Sequence, residues 1–377
     1  MMKVLLVGGT GCLSTDIARK LCNDDNYELY MLNRGNNRNV IPQKTNLIIA
    51  DIRNKSQSIE KLGNLHFDVV IDFISYFPRQ LSETLDILAG HYNQFIFISS
   101  AAVYDIRNIG KHEITENSPV GNKEWWYSKG KIKCEELLAE YFMQKKEKYT
   151  IVRPFVTYNE ERLPYALAPD YHHTWTIIRR ILEDKPIVIW DEFDCVSPFT
   201  STLDFADGVI SLFCNENSYG EAYHIATDKQ YSWRRVFEII GNLLCKEPKY
   251  LHITNKEIEK YFPEYKDTIE DDKCFDYYVN NGKIKSMCKS FTYPIELEDG
   301  MKRMLDYHTS NISAQNIDYL WDARMDILIY SVYKNRYSNI LQQSFYKSDN
   351  YKFSRKEKLK LFIYSNQVLY KLYRMMR

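Results

Sequence analysis

A tyrosine and a lysine four positions apart, Tyr127 and Lys131, could act together in proton transfer. On a helix, residues at this spacing lie on the same face, so the lysine ammonium would lie beside the phenol. A phenol has an ordinary pKa of about 10, and a neighbouring cation favours its ionised form. The pair could therefore take a proton from a substrate hydroxyl group and later return it, while Ser100 orients the hydroxyl oxygen.

The spacing alone is weak support for this chemistry. A chain with 30 tyrosines and about one lysine in ten residues should contain about three such pairs by chance. Two further pairs do occur, beginning at Tyr141 and Tyr330. The alternative interpretation of Tyr127 is a packed aromatic side chain beside Trp125 and Trp126. The elements around Tyr127 must therefore decide between the two interpretations.

The N-terminus carries a glycine-rich turn between two regular elements. An apolar run over residues 3–7 precedes the turn, and a helical pattern follows it. Glycines in such a turn let the backbone approach a pyrophosphate, whose charge then lies at the helix N-terminus. Ser14 is a small residue at the position of the third glycine. We predict that the turn binds a dinucleotide cofactor through Gly8, Thr10, Gly11, Cys12 and Leu13.

Apolar runs alternate with amphipathic stretches over the first 150 residues. After the run at 3–7, such runs occupy residues 29–32, 46–50, 69–74, 95–98 and 149–152. Strands that alternate with helices predict an α/β fold with a Rossmann-type, doubly wound parallel sheet. Ser100 follows the run at 95–98, and a helix is predicted from Tyr127 to about residue 144.

The regular alternation weakens after Pro154, which predicts a second, smaller lobe. Four prolines lie between residues 160 and 200, and Thr202 then begins a returning helix for which we predict Asp204 as the N-cap. The predicted organisation has three parts. They are an NAD(P)-binding domain (1–158 plus about 200–227), a substrate-binding lobe (159–199 and 228–309) and a helical C-terminal extension (310–377).

The end of the second predicted strand bears on the choice of cofactor. Dinucleotide-binding folds usually carry Asp or Glu there to accept from the adenosine ribose hydroxyls. This chain has Asn33 followed by Arg34. With no carboxylate to repel a 2'-phosphate and a guanidinium to pair with it, the pattern favours NADP over NAD. Asp51, after the third strand, could accept from the adenine amino group. A solvated Arg34 and a surface Asp51 are the alternatives.

Five motifs follow one another along the chain: Gly8-x-x-Gly11, Asp51, the run Ser99 to Tyr104, Tyr127-x-x-x-Lys131 and Arg153-Pro154. In this order and spacing they resemble the extended short-chain dehydrogenase/reductase family, in its NAD-dependent epimerase/dehydratase branch of nucleotide-sugar enzymes. The resemblance covers about residues 1–310. It implies a nicotinamide cofactor, a homodimer and a catalytic set of Ser100, Tyr127 and Lys131. It also implies further cofactor contacts from Ile52, Phe73, Lys131 and Pro154.

The residues after Ser100 discriminate among the reactions of that branch. Its 4,6-dehydratases place Asp and Glu directly after the catalytic Ser or Thr, because water elimination needs an acid and a base. Ala101 and Ala102 occupy these positions here, which argues against dehydration and decarboxylation. The pattern is closest to the epimerases, which act through a transient keto sugar. A ketoreductase of a nucleotide-linked keto sugar is the first alternative, and a non-catalytic binding or scaffold protein of the same fold is the second.

The nucleotide-sugar substrate is expected in the smaller lobe, where this branch holds it. Aromatic rings can stack on a base and cations can meet a diphosphate. The candidates for these contacts are Arg162, Tyr165, His173 and Trp175. Histidines and cysteines show no metal-ligand spacing, so no metal site is predicted.

The composition predicts a cytoplasmic protein that does not bind nucleic acid. Fifty basic and fifty acidic residues cancel, so no overall field favours a polyanion. Eight scattered cysteines suit a reducing compartment. Residues 351–377 are the exception, with eight basic residues and one acidic residue. Such a tail could dock on the body or on a second subunit, contact an anionic membrane or a partner protein, or remain disordered.

Overall fold

A computed structural model describes residues 1–121, 125–145, 147–288, 291, 294–333, 354–364, 369 and 372–373. Its strands in chain order are β1 (Met2–Val7), β2 (Tyr27–Asn33), β3 (Asn46–Ile49), β4 (Phe67–Asp72), β5 (Tyr92–Ile98), β6 (Lys148–Pro154), β7 (Val156–Tyr158), β8 (Ile187–Ile189), β9 (Val196–Ser197), β10 (Phe199–Ser201), β11 (Glu221–Ile225), β12 (Tyr231–Ser232) and β13 (Tyr250–His252).

The helices are α1 (Cys12–Asn23), α2 (Lys55–Leu62), α3 (Pro78–Leu88), α4 (Ile106–Ile109), α5 (Trp126–Lys145), α6 (Trp175–Leu182), α7 (Thr202–Ile210), α8 (Trp233–Leu244), α9 (Asn255–Tyr261), α10 (Lys266–Thr268), α11 (Gly282–Met287), α12 (Leu297–Ser310), α13 (Tyr319–Tyr333) and α14 (Arg355–Tyr364). Within these described residues, no helix combines the length and the apolar character that a membrane crossing requires.

The predicted parallel sheet is confirmed. Seven strands lie in the order β3-β2-β1-β4-β5-β6-β11, and neighbouring strands are parallel. Val7 lies beside both Leu32 and Asp72 in the register of β1 with its two neighbours. Because all the strands run in one direction, the residues that follow them lie along a single edge of the sheet, where open α/β sheets bind ligands.

Alternate residues of the sheet strands pack into two separate cores, one on each face. Leu6 packs with Ile17 of α1 in the first core. Leu5 packs with Leu85 of α3 and Leu138 of α5 in the second core. Successive side chains of a strand point to opposite faces, so a parallel sheet covered on both faces needs continuous apolar runs. The apolar runs of the sequence are of this kind.

The chain divides into two compact units. The first comprises residues 1–159, 196–231 and 276–300, and the second comprises 160–195, 232–275 and 301–377. Residues 276–300 therefore group with the sheet, whereas the sequence placed them in the smaller lobe. Tyr277 donates its backbone N–H to Val196 O at 2.9 Å, and Ile284 of α11 is buried in the first core. The short α11 has too weak a pattern to reveal this packing in the sequence.

Aromatic side chains form much of the core of the second unit. Trp190 packs edge-on against Phe193 and Trp233, with ring centroids 4.7 and 5.5 Å apart. Strand β8 pairs in parallel with β13 in a two-stranded sheet. Three of the four prolines between residues 160 and 200 lie in this unit.

Helix α13, from the predicted C-terminal extension, groups with the second unit. Its Asp322 is fully buried and is ion-paired with Arg180 and with Arg179. Asp326 also pairs with Arg180, at 2.8 Å. These contacts hold α13 against α6 within the second unit. The prediction for the basic stretch 351–377 falls partly outside the described residues.

The returning helix α7 begins at the predicted place, but its N-cap is Ser201. The Ser201 hydroxyl accepts from Leu203 N at 3.3 Å. Asp204 lies in the first helical turn, and its carboxylate accepts from Ile295 N at 2.9 Å. The prediction of Asp204 as the cap was wrong by three residues. Ser and Asp both favour helix N-termini, so the sequence pattern does not separate them. The contact of Asp204 with the backbone of Ile295, far along the chain, shows that its carboxylate is not the cap.

Candidate active site

The glycine turn leaves no room for a side chain at its first position. Gly8 has φ +85°, and a Cβ atom there would lie 2.2 Å from the Cγ2 atom of Ile74. Ser14 closes the turn. Its hydroxyl accepts from Gly11 N at 2.9 Å and donates to Gly8 O at 3.1 Å. The small residue at the third glycine position therefore holds the turn by hydrogen bonds as well as by its size.

The turn leads directly into α1, and this arrangement fits a pyrophosphate. Gly11 is the N-cap of α1, and the first turn of the helix carries no acidic side chain. Thr10, Cys12 and Leu13 are half-buried at this end. The first N–H groups of a helix and its dipole together attract a phosphate group. The residues present therefore fit the dinucleotide that the sequence predicts.

A buried amide nitrogen with no hydrogen-bond partner among the described residues lies at the end of β2. Asn33 accepts from Gly35 N through Oδ1 at 2.8 Å. Its Nδ2 atom is buried and has no partner among the described residues. A buried donor that lacks a partner costs about 1–3 kcal/mol, so this amide suits a ligand acceptor. Arg34, the next residue, is exposed.

Three other predicted cofactor contacts follow β3 and β4, and a fourth is the last residue of β6. Asp51 is half-buried after β3, and its Oδ1 atom accepts from Arg53 N at 3.0 Å. Ile52 is 2% exposed and belongs to the second core, so its side chain has a packing role. Phe73 is half-buried after β4 and donates its N–H to the Val7 carbonyl at 3.1 Å. Pro154 is buried in β6 beside the edge strand β11.

Lys131 is buried on α5 and is held at the ends of two strands. It is 2% exposed, and its Nζ atom donates to Ser75 O at 2.9 Å and to Ile98 O at 2.7 Å. Burial lowers the pKa of Lys131 to about 8, while the carboxylate of Asp72 acts in the opposite direction. The ammonium form therefore predominates at pH 7.

Sequence reasoning missed Asp72, the last residue of β4. Its Oδ1 atom accepts from Ile74 N at 2.8 Å and from Ser75 N at 3.1 Å. The side chain is fully buried, and its Oδ2 atom has no hydrogen-bond partner among the described residues. Asp72 thus shapes the segment whose Ser75 carbonyl receives Lys131. An acidic residue inside the apolar run 69–74 was the available signal.

Ser100 caps a single 3₁₀ turn, Ala101–Val103. Its hydroxyl oxygen accepts from Ala102 N at 3.2 Å, and its hydroxyl hydrogen can still be donated to a ligand. Ala101 and Ala102 are each 5% exposed. Ser128, next to Tyr127, donates to the Ala102 carbonyl at 2.6 Å, so this turn is fixed to the start of α5.

Tyr127 is half-buried in the first turn of α5 among other aromatic residues. Its ring centroid lies 4.9 Å from that of Trp125 and 6.0 Å from that of Tyr76. The helix approaches the segment after β4 closely, since a Cβ atom on Gly130 would lie 2.3 Å from Tyr76 O. The glycine between Tyr127 and Lys131 is therefore required by packing, and both side chains belong to the unit that carries the glycine turn.

The four predicted substrate residues lie in the second unit. Arg162 is exposed. Tyr165 is 6% exposed and donates its hydroxyl to Val188 O at 2.6 Å, which places it in the core and argues against the predicted stacking role. His173 has a buried Nδ1 atom without a partner among the described residues. Trp175 is half-buried with its ring centroid 5.8 Å from that of His308.

The sequence matches a known family model over most of the first unit. Residues 4–226 match the model of the NAD dependent epimerase/dehydratase family, which is more than half of the 377 residues. The match includes the glycine turn, the strand ends described above, and Ser100, Tyr127 and Lys131.

Three solved structures with a similar fold are nucleotide-sugar enzymes. UDP-glucuronic acid 4-epimerase from Bacillus cereus, in complex with NAD, has a TM-score of 0.66 and 18% identity, over 82% of this chain and 99% of the other. The NAD complex of UDP-glucose 4-epimerase from Thermus thermophilus has values of 0.65 and 15%, over 82% and 99%. The NAD complex of dTDP-glucose 4,6-dehydratase from Bacillus anthracis has values of 0.67 and 16%, over 83% and 98%. At these identities the similarity establishes a shared fold.

Proposed function

This chain belongs to the NAD-dependent epimerase/dehydratase family, and from that premise we propose that it is a nucleotide-sugar epimerase that acts through a transient keto sugar. The placement of Lys131 carries this proposal. A buried lysine with its pKa lowered to about 8 lies one helical turn after Tyr127, at the strand ends that carry Ser100. This position beside Tyr127 and the Ser100 strand end is the one that the proposed chemistry requires.

In the proposed reaction, Tyr127 and Ser100 act on one carbinol group of the sugar. Tyr127 takes the hydroxyl proton as the carbon loses its hydride, and Ser100 donates a hydrogen bond to the same oxygen. A nicotinamide bound here would accept the hydride and later return it. After the keto sugar has rotated to present its other face to the hydride, Tyr127 gives the proton back. The overall reaction therefore consumes no reductant.

Lys131 has two roles in this proposal. Its charge favours the ionised phenol of Tyr127. Two of the three ammonium hydrogens have acceptors among the described residues, in the Ser75 and Ile98 carbonyls. The third remains for another acceptor, such as a ribose hydroxyl of the cofactor.

We propose that the enzyme does not catalyse dehydration. The side chains of Ala101 and Ala102 can neither donate nor accept a proton, and both are buried in the turn that Ser100 caps. Elimination of water needs an acid and a base at neighbouring carbons. In this site Tyr127 would have to serve as both the acid and the base.

We propose NADP as the preferred cofactor. The Asn33 Nδ2 donor, which has no partner in the part of the chain that the structure describes, and the exposed guanidinium of Arg34 both suit a 2'-phosphate, since each can donate to an anion. A carboxylate, the usual residue at this strand end, would repel the phosphate.

The epimerase proposal is tested with the purified chain, a panel of UDP- and dTDP-sugars and either cofactor. We expect proton NMR to show two epimers approaching equilibrium, while the near-ultraviolet absorbance of reduced cofactor stays constant. Mass spectrometry of ligands released from freshly purified protein would identify the nucleotide. Absence of epimer formation with every sugar of the panel would contradict the proposal.

A ketoreductase is the second candidate, because the features of Asn33 and Arg34 that suit NADP also suit a reductase. Oxidation of one NADPH per keto sugar consumed would establish this activity in place of epimerisation. If neither activity occurs and Tyr127→Phe changes no measurable property, a non-catalytic binding role becomes the better description.

The proposed partners are a nucleotide sugar and a second copy of the chain. Light scattering with size-exclusion chromatography tests the homodimer.

In the basic tail, Leu359 and Phe362 of α14 are 58% and 62% exposed, and Arg355 lies one helical turn before Leu359. Such a face suits an anionic membrane or partner. Co-sedimentation with phosphatidylserine vesicles, compared with phosphatidylcholine vesicles, tests the membrane contact.

A further inference from the structure

A buried ion pair joins α5 to the sheet one turn beyond Lys131. The carboxylate of Glu135 accepts from both Nε and Nη2 of Arg153, at 3.1 and 2.7 Å. The two side chains are 9% and 7% exposed. Glu135 also accepts from the Ser99 hydroxyl at 2.5 Å. One carboxylate therefore contacts the strand end that carries Ser100 and an arginine of the next strand, β6.

The remaining nitrogen of Arg153 extends this contact to the segment after Ser100. Nη1 donates to the Tyr104 hydroxyl at 3.3 Å and to the Glu116 carbonyl at 3.1 Å. The Tyr104 hydroxyl lies 3.1 Å from Nδ1 of His224, on edge strand β11. Burial lowers the pKa of His224, so its ring is neutral at pH 7. The network thus joins α5, β5, β6 and β11 within the first unit.

Stability alone does not explain a charged pair at this place. The desolvation of two buried charges often exceeds their attraction, and an apolar pair of similar volume is frequently as stable or more so. An apolar pair, however, would not set the rotation of α5 as a bidentate contact does, because only the bidentate contact is directional. The directional contact lies between the helix of Tyr127 and Lys131 and the strand end of Ser100.

We propose that Glu135 and Arg153 are positioning residues, whose ion pair fixes α5 against the Ser99–Ser100 strand end and so keeps Tyr127, Lys131 and Ser100 in register for the reaction. This inference rests on the proposed function. Displacement of a reacting group by about 1 Å can cost about a hundredfold in rate. The pair therefore affects turnover without touching substrate or cofactor.

Glu135 also contributes to the charge around Lys131. Among the described residues, the groups that face this ammonium are Asp72 from β4, the Ser75 and Ile98 carbonyls, the rings of Tyr76 and Phe97 at 4.8 and 4.7 Å, and Cys134 and Glu135 from its own helix. Asp72 and Glu135 both raise the pKa of Lys131 against the lowering by burial. Removal of the Glu135 charge should therefore lower the pH at which Lys131 loses its proton.

The test replaces both charged residues by apolar ones, in the double variant Glu135→Met with Arg153→Met. We expect the unfolding midpoint and the dissociation constant of NADPH to stay near their wild-type values. We expect kcat to fall about tenfold to a hundredfold with little change in KM, and the alkaline limb of the pH profile to move to lower pH. Ser99→Ala is the milder variant, which keeps the pair and removes only its bond to the strand end. Its kcat should fall by a smaller factor.

Arg324→Met is the matched control in the second unit. Its guanidinium is 6% exposed and pairs with Glu264 at 2.7 Å, so the substitution also removes a buried arginine. It should lower the unfolding midpoint and leave kcat and the pH profile unchanged. Wild-type kcat and an unshifted pH limb in the double variant would overturn the proposal. So would a joint fall of unfolding midpoint, NADPH affinity and kcat in both the double variant and Ser99→Ala.

A separate readout distinguishes this proposal from the proposed function. NADPH fluorescence on binding, followed against pH, reports the Lys131 titration without any turnover. If the wild type turns over no nucleotide sugar, the proposed function fails. The positioning proposal then stands if the double variant moves the pH midpoint of NADPH binding downward, and it falls if the midpoint does not move.

Discussion

The ammonium of Lys131 lies 2.7 Å from the carbonyl oxygen of Ile98, the last residue of β5 and the second residue before Ser100. This contact brings a helix residue and a strand end that are 33 positions apart into one site. It also links the position of the ammonium to that of the strand end.

Tyr127→Phe should abolish turnover and leave the fold and cofactor binding intact. The phenol hydroxyl is the proposed proton acceptor and donor, and such groups contribute about a hundredfold to ten-thousandfold in rate. Epimer formation followed by NMR measures turnover, and NADPH fluorescence measures binding.

The matched control for that variant is Tyr141→Phe. Tyr141 and Lys145 have the same spacing on the same helix, and Lys145 Nζ lies 2.9 Å from the Tyr141 hydroxyl. Their hydrogen bond is exposed and lies near the other end of α5. We expect turnover to stay at the wild-type rate. Equal losses in both tyrosine variants would show that position on α5 does not matter.

Asp72→Asn should move the alkaline limb of the activity profile to lower pH. Burial lowers the pKa of Lys131 to about 8, and the Asp72 carboxylate opposes that lowering. Lys131 is charged below its pKa and neutral above it, so activity should fall as pH rises through about 8. Loss of the Asp72 carboxylate should lower the pKa of Lys131 further, so that the ammonium loses its proton at lower pH. The amide oxygen can still accept from Ile74 N and Ser75 N, so the turn should persist. A profile identical to that of the wild type would disprove the electrostatic role.

Asn33→Asp should reverse the cofactor preference. A carboxylate at the end of β2 would repel a 2'-phosphate and accept from ribose hydroxyls, so NADP binding should weaken by about tenfold or more and NAD binding should improve. Titration calorimetry with both cofactors measures the ratio of dissociation constants. Asp51→Asn, at the neighbouring strand end, is the control and should affect both cofactors alike. An unchanged ratio in the Asn33 variant would show that the 2'-phosphate is not recognised there.

Gly8→Ala should cost more stability than Gly90→Ala. Both glycines have positive φ, +85° and +78°, which costs an alanine about 1–2 kcal/mol. Gly90 has open space around its Cα, whereas a Cβ on Gly8 would meet Ile74 at 2.2 Å. Overpacking adds about 1–3 kcal/mol. Urea unfolding of the two variants measures the difference. NADPH binding should weaken in the Gly8 variant alone. Equal unfolding free energies would mean that Ile74 moves aside freely.

Asp322→Asn should destabilise the second unit by about 3–5 kcal/mol, because one partner of a buried charge cluster is lost. Arg180 and Lys185 would then share Asp326 as their carboxylate. Tryptophan fluorescence in urea measures the change. Asp184→Asn is the control, since its pairs with Lys246 and Lys249 are exposed and should contribute less than about 1 kcal/mol. Similar losses in both variants would argue against a structural role for α13.

Local pattern was sufficient to predict the sheet and the glycine turn. Strands buried on both faces need continuous apolar runs, and such runs are visible in a sequence. Lys131 could also be predicted, because its spacing from Tyr127 is a helical repeat. The contacts of Asp72, Glu135 and Arg153 could not be predicted in the same way. Several of their partners lie far away along the chain, and no local periodicity reports a contact of that kind.

The order of elements, the strand ends that carry the candidate residues, and the absence of acid/base side chains at positions 101 and 102 were thus determined by the sequence alone. Tertiary structure decided which side chains are buried and what they contact. It placed Tyr165 in a core, moved residues 276–300 to the sheet unit and joined Glu135 to Arg153 and Ser99. The physical reason is that burial and hydrogen bonding depend on neighbours from other segments, whereas the period of a helix or strand depends on the segment itself.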